Sequence, residues 1–135
     1  MEQAIEQHLI MGKGQQGAAL DNVIQQVLKH PQIFVFAEFI DLCQGKNVKA
    51  QVLASLQLFA FQNFQAYKKN KAMYIELTEP MVHKLKLLTL VDEAQKAPIV
   101  PYKQMIQAAE LKDMRELEDL LISCLQYGLI KGKLD

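Results

Sequence analysis

Apolar residues recur along this chain at steps of three and four, the spacing of a helix that buries one face. Ile5 and Leu9 place a first short helix over residues 2–11, after which Gly12, Gly14 and Gly17 interrupt the pattern. Leu20, Val23, Ile24, Val27 and Leu28 predict a second helix over 18–30, stopped by Pro31, because the residue before a proline is pushed out of the helical region. Residues 33–42 are dense in Ile, Phe and Val, and their neighbours favour a third helix over a strand. From Val48 the longest pattern runs through Val52, Leu56, Phe59, Ala60, Asn63 and Tyr67, predicting one continuous helix over 48–69. Its lysine-rich end, Lys68-Lys69-Asn70-Lys71, suits the negative pole of the helix dipole.

The pattern changes after residue 77. Thr78-Glu79-Pro80 is a helix start, with a hydroxyl, an acid and a first-turn proline, and the helix it opens should reach about residue 93. The two prolines in 97–102 exclude a helix and a central strand, leaving a short edge strand. A short helix follows over 103–109, with Met105, Ile106 and Ala109 inward. Asp113, with Glu116 three residues on, is an acidic version of the capping box. The helix it opens turns Leu117, Leu120, Leu121, Cys124 and Leu125 inward and ends at Gly128. Residues 129–134 then read as a strand.

Helix, short strand, helix, helix, strand is the plan of a winged helix. The expected fold is therefore mainly α. Residues 1–77 form an antiparallel helical-repeat bundle, and residues 78–135 a winged-helix subdomain with a small, incomplete β-sheet. That subdomain lacks the last wing strand and any C-terminal helix, so an open strand edge is expected there, which also permits self-association.

Composition narrows the function. The chain has 135 residues, half of them apolar, enough for one packed domain. Its 15 basic and 15 acidic side chains balance, whereas phosphate-binding proteins gain affinity from a basic excess. The exposed face of the 113 helix carries one base, Arg115, against Glu116, Glu118 and Asp119, so a nucleic-acid-reading winged helix is the disfavoured alternative. Residues 1–10 lack the basic and apolar blocks of a signal peptide, and no apolar run is long enough to span a bilayer. Cys43 and Cys124 stand far apart in apolar runs, as small buried hydrophobes. His8, His30 and His83 each stand alone, without a metal-ligand neighbour at helical spacing. Gly12-Lys13-Gly14 lacks both the preceding strand and the Gly-Lys-Ser/Thr ending of a phosphate loop. No catalytic, cofactor or metal site is expected.

Several segments together resemble the PCI domain. They are Leu85-Lys86-Leu87-Leu88-Thr89-Leu90, Pro101-Tyr102, Met114-Arg115-Glu116-Leu117-Glu118-Asp119-Leu120-Leu121-Ile122 and Gly132-Lys133-Leu134-Asp135. In the first half, Gly17-Ala18-Ala19-Leu20, Gln26-Val27-Leu28, Pro31 and Phe34-Val35-Phe36-Ala37-Glu38 resemble the opening helices of the subunit-seven branch of the COP nine signalosome. The resemblance implies a non-catalytic scaffold subunit, cytoplasmic and nuclear, in a complex that removes a ubiquitin-like tag from cullins through a different, metal-dependent subunit. Its partners would be other PCI subunits of that complex, met through the winged helix. Translation initiation factor three and the proteasome lid, which share the domain, are the nearest alternatives. The implied docking surface falls on Ile99 and Val100 in the edge strand, on Arg115, Glu116 and Asp119 at the helix start, and on Ile130, Lys131, Lys133 and Leu134 in the last strand.

Overall fold

In a computed structural model of the chain, residues 2–96 and 100–129 are described. They form eight α-helices and one short 3-10 turn: α1 (Glu2–Gly12), α2 (Ala18–Lys29), α3 (Ala37–Cys43), α4 (Ala50–Phe61), α5 (Phe64–Lys69), the 3-10 turn Lys71–Met73, α6 (Glu79–Lys96), α7 (Tyr102–Ala109) and α8 (Met114–Gln126). No strand occurs among the described residues. Of the two expected strands, 97–99 and 130–135 lie outside the described residues, while Val100, Pro101 and Leu129 carry no sheet pairing.

Two helix expectations are corrected. The segment 33–42 is helical only from Ala37, and residues 33–36 are not regular. Ile33 and Phe36 bury themselves in one apolar cluster and Phe34 in another, while Val35 is exposed. The Phe36 backbone, at φ −125° and ψ −5°, stands outside the helical region, so the helix can start only at Ala37. The expected continuous helix over 48–69 is broken at Gln62 and Asn63. Asn63 Oδ1 accepts the Ala66 amide at 3.0 Å and so starts α5, and the Phe64 amide donates to Thr89 Oγ1 of α6 at 2.9 Å. Short polar side chains compete with the helix ladder in this way, which is why asparagine favours caps over helix interiors.

The buried side chains form two clusters. The first gathers Leu20, Ile24 and Leu28 of α2, Phe39 of α3, Leu56 and Leu58 of α4, and Met81 and Leu85 at the start of α6. The second gathers Leu87 and Leu90 from further along α6, Met105 and Ala109 of α7, and Leu117, Leu120, Leu121 and Cys124 of α8. Helix α6 thus serves both clusters, and Phe34 crosses from the first half of the chain into the second. Gly12 lies where α1 comes close to the rest, and a Cβ there would sit 2.6 Å from Leu42 Cδ2.

Candidate functional site

The α6–α8 unit holds the sequence-derived docking residues that are described. Helix α8 starts as the capping pattern requires, with Asp113 Oδ1 accepting the Glu116 amide at 2.9 Å. It ends in a paired closure, with the Gly128 amide donating to Leu125 O at 3.1 Å and the Leu129 amide to Cys124 O at 2.9 Å. Gly128 sits at φ 69°, the left-handed position that glycine adopts without penalty. These two ends fix the register of the outer face of α8. Arg115 and Asp119 stand exposed on it, one turn apart, with Glu118 beside them and the exposed Ile122 beyond.

Glu116 is half-buried and already has two partners within the chain. Its Oε1 lies 3.6 Å from Lys86 Nζ of α6, and its Oε2 accepts the Lys112 amide at 3.4 Å. Val100 is half-buried against the second cluster. Ile99, Ile130, Lys131, Lys133 and Leu134 lie outside the described residues. The structure therefore brings Arg115 and Asp119 onto one solvent-facing patch, with Val100 and Glu116 half-buried, the first against the second cluster and the second paired with Lys86 and the Lys112 amide.

Three buried charged groups escaped the sequence reading: Asp21 of α2, which accepts the Lys49 amide at 3.0 Å, Glu93 and Lys84. Glu93 of α6 accepts Lys96 Nζ at 2.8 Å and Gln104 Nε2 of α7 at 3.0 Å. The Lys96 bond, helped by Gln104, holds its carboxyl below the usual range against the opposing effect of burial. Lys84, 5% exposed, reaches from α6 to the end of α2 and donates to three carbonyls: Val27 at 3.1 Å, Leu28 at 3.2 Å and His30 at 2.7 Å. Its Nζ also lies 5.7 Å from the Phe34 ring centre and 5.0 Å from that of Phe36, one ring from each cluster. The signal was a lysine inside the apolar stripe Met81, Leu85, Leu88.

A cleft of about 180 Å³ opens between the end of α4 and α6, lined by Phe34, Phe59, Ala60, Phe61, Gln62, Leu88, Val91, Asp92 and Gln95. Phe61 is 71% exposed there. Burial pushes the Cys43 thiol up to about 11 and the Cys124 thiol up to about 12, which keeps both protonated near neutral pH. Among the described residues no three His, Cys, Asp or Glu side chains are grouped to hold a metal ion, and no helix is long and apolar enough to cross a membrane.

Comparison with known proteins fits this architecture. Residues 6–37 match the family model for the CSN7 helical bundle subdomain, which covers most of α1, all of α2 and the irregular segment before α3. Over 136 residues the chain is 35% identical to COP9 signalosome complex subunit 7 of Dictyostelium discoideum, covering 98% of this chain and 52% of that protein. The subunit 7 of Drosophila melanogaster is 35% identical over 139 residues, covering 98% of this chain and 49% of that protein. That of Arabidopsis thaliana is 32% identical over 122 residues, covering 87% of this chain and 47% of that protein. The chain spans about half the length of the curated relatives it matches.

Proposed function

The chain belongs to the COP9 signalosome subunit 7 family, and on that premise we propose that it is a non-catalytic scaffold subunit that docks onto other PCI subunits through α6–α8 and the residues that follow. The likeness across 98% of the chain carries this reading. On this reading the chain serves cullin deneddylation in the cytoplasm and nucleus by positioning other subunits, and the chemistry belongs elsewhere in the complex. The tertiary arrangement supports it in two ways. The α6–α8 unit has its own apolar cluster, so it can present a rigid face. That face combines Arg115, Glu118 and Asp119 with the exposed Ile122 beyond them, and mixed charge beside an apolar side chain sets register and partner choice in protein docking. We further propose that residues 130–135 complete the docking surface as a strand of the winged helix, adding to a neighbour's sheet.

The test is co-expression with the other PCI subunits of the same complex, followed by size exclusion at moderate salt. Co-elution is expected. The paired charge reversal Arg115→Glu with Asp119→Lys should weaken it about tenfold or more. Exposed substitutions of this kind change folding stability by no more than about 0.5 kcal/mol, so the loss reads as docking. Ile130→Asp should act in the same direction. Unchanged co-elution of both variants would overturn docking through this module, and no co-elution of the unaltered chain would overturn the scaffold reading.

A further inference from the structure

Two histidines that are distant in sequence share one corner of the fold with the buried Lys84. His8 lies on α1 and His30 directly follows α2, and their ring centroids are 5.3 Å apart at an interplanar angle of 82°. Lys84 joins them through its 2.7 Å bond to the His30 carbonyl.

The two rings are committed differently. His8 Nδ1 lies 2.8 Å from the Ala4 carbonyl, which can only accept, so this nitrogen carries a hydrogen. His30 Nδ1 lies 3.1 Å from the Gln32 amide, which can only donate, so this nitrogen offers its lone pair. The hydrogen of the neutral His30 ring is then on Nε2, and a second proton can enter only at Nδ1. That proton converts the acceptor into a donor facing another N–H. The bond closing the His30-Pro31-Gln32 turn is lost, and a full positive charge appears in the same corner. The groups that act electrostatically on His30 are His8 from α1, Lys84 from α6 and the N-terminal amine, and all of them are bases. Burial, followed by these neighbours, lowers the His30 pKa below its ordinary value.

Helix α1 is the element most easily released here. Gly12 is its only buried residue, and it packs on the first cluster through the half-buried Ala4, Ile5 and Leu9. Segments with few fully buried apolar groups open at the smallest free-energy cost.

We propose that His30, with His8 and Lys84 around it, is a proton-operated latch that holds α1 and the end of α2 in place and opens on acidification. One proton moves from solvent to His30 Nδ1, the Gln32 amide loses its acceptor, and repulsion from His8 and Lys84 loosens the docking of α1. The remaining helices stay folded, because their apolar clusters contain no titrating histidine.

The experiment is a nuclear magnetic resonance titration of the full chain from about pH 7.5 to about pH 4.5, the range in which histidine changes charge. The His30 ring should titrate below the ordinary histidine value of about 6.5, and the Gln32 amide shift should follow with the same midpoint. Amide protection in α1, corrected for the intrinsic pH dependence of exchange, should fall about tenfold or more through that midpoint, while α4 and α8 hold theirs. His30→Asn keeps a side-chain acceptor near the Gln32 amide and removes the proton site, so α1 should stay protected over the same range. A Gln32 amide that ignores the His30 ring overturns the latch, and so does a His30→Asn chain that sheds α1 at the unaltered midpoint. Should that variant not fold, the joint or separate titration of ring and amide in the unaltered chain decides the matter.

Discussion

Lys84 shows how one side chain can hold two parts of a fold. An ammonium 5% exposed is costly to bury, yet it finds three carbonyl oxygens at the C-terminal pole of α2, where the helix dipole favours a cation. The balance still favours the neutral amine, and burial pushes the Lys84 pKa down to about 7. In the unfolded chain a lysine titrates near 10.4, so between these values the unfolded state binds the extra proton. Stability therefore rises with pH across that window, and Lys84 adds no pH dependence below it. Lys84→Met removes the donor and leaves the Leu28 and His30 carbonyls unpaired in a closed site, which should cost about 2 kcal/mol near neutral pH. In urea melts the gap between the natural chain and this variant should widen from about pH 7 to about pH 9. A gap that stays constant would mean that Lys84 does not titrate in that window.

At the scale of elements, caps decide where helices begin and end. The pairing of Asp113 and Glu116 was legible, and the forward half forms as expected at 2.9 Å. The return half is displaced, since Glu116 reaches the Lys112 amide rather than that of Asp113, while Lys86 draws its other oxygen toward α6. Asp113→Ala should lower stability by about 1 kcal/mol, the usual worth of an N-terminal cap, read as a shift in the thermal or urea midpoint. A shift near zero would mean that packing alone sets the start of α8. Elsewhere an unexpected closure appears after α7, where Glu110 adopts φ 51° and the Leu111 amide bonds to Ile106 O at 2.9 Å. Glycine usually takes this position, and its absence hid the closure from the sequence. Asn63 was misread for a related reason. Its spacing placed it on the apolar face, but its side-chain oxygen starts α5 instead.

Over the whole molecule, the two apolar clusters are joined through α6 and through Phe34. This ring lies over Lys84, stands 4.9 Å from the Tyr127 ring and belongs to the second cluster although Ile33 and Phe36 belong to the first. Phe34→Ala should cost about 3 kcal/mol, as truncation of a buried aromatic generally does. It should also raise amide exchange in α7 and α8 more than in α2 and α4. Equal acceleration everywhere would mean that the clusters melt as one unit regardless of this bridge. The sequence by itself determined the mainly helical class, most helix positions, the inward faces of α2, α7 and α8, and the family, because these depend on local periodicity, capping residues and shared segments. Only the tertiary structure decided which apolar residue enters which cluster, where the long helix breaks, and that Val100 and Glu116 are half-buried while Arg115 and Asp119 face solvent. It alone brought His8, His30 and Lys84 together. The physical reason is that these outcomes depend on contacts between residues far apart in the chain. Periodicity shows that a face is buried, but the partner on the other side exists only once the helices have packed.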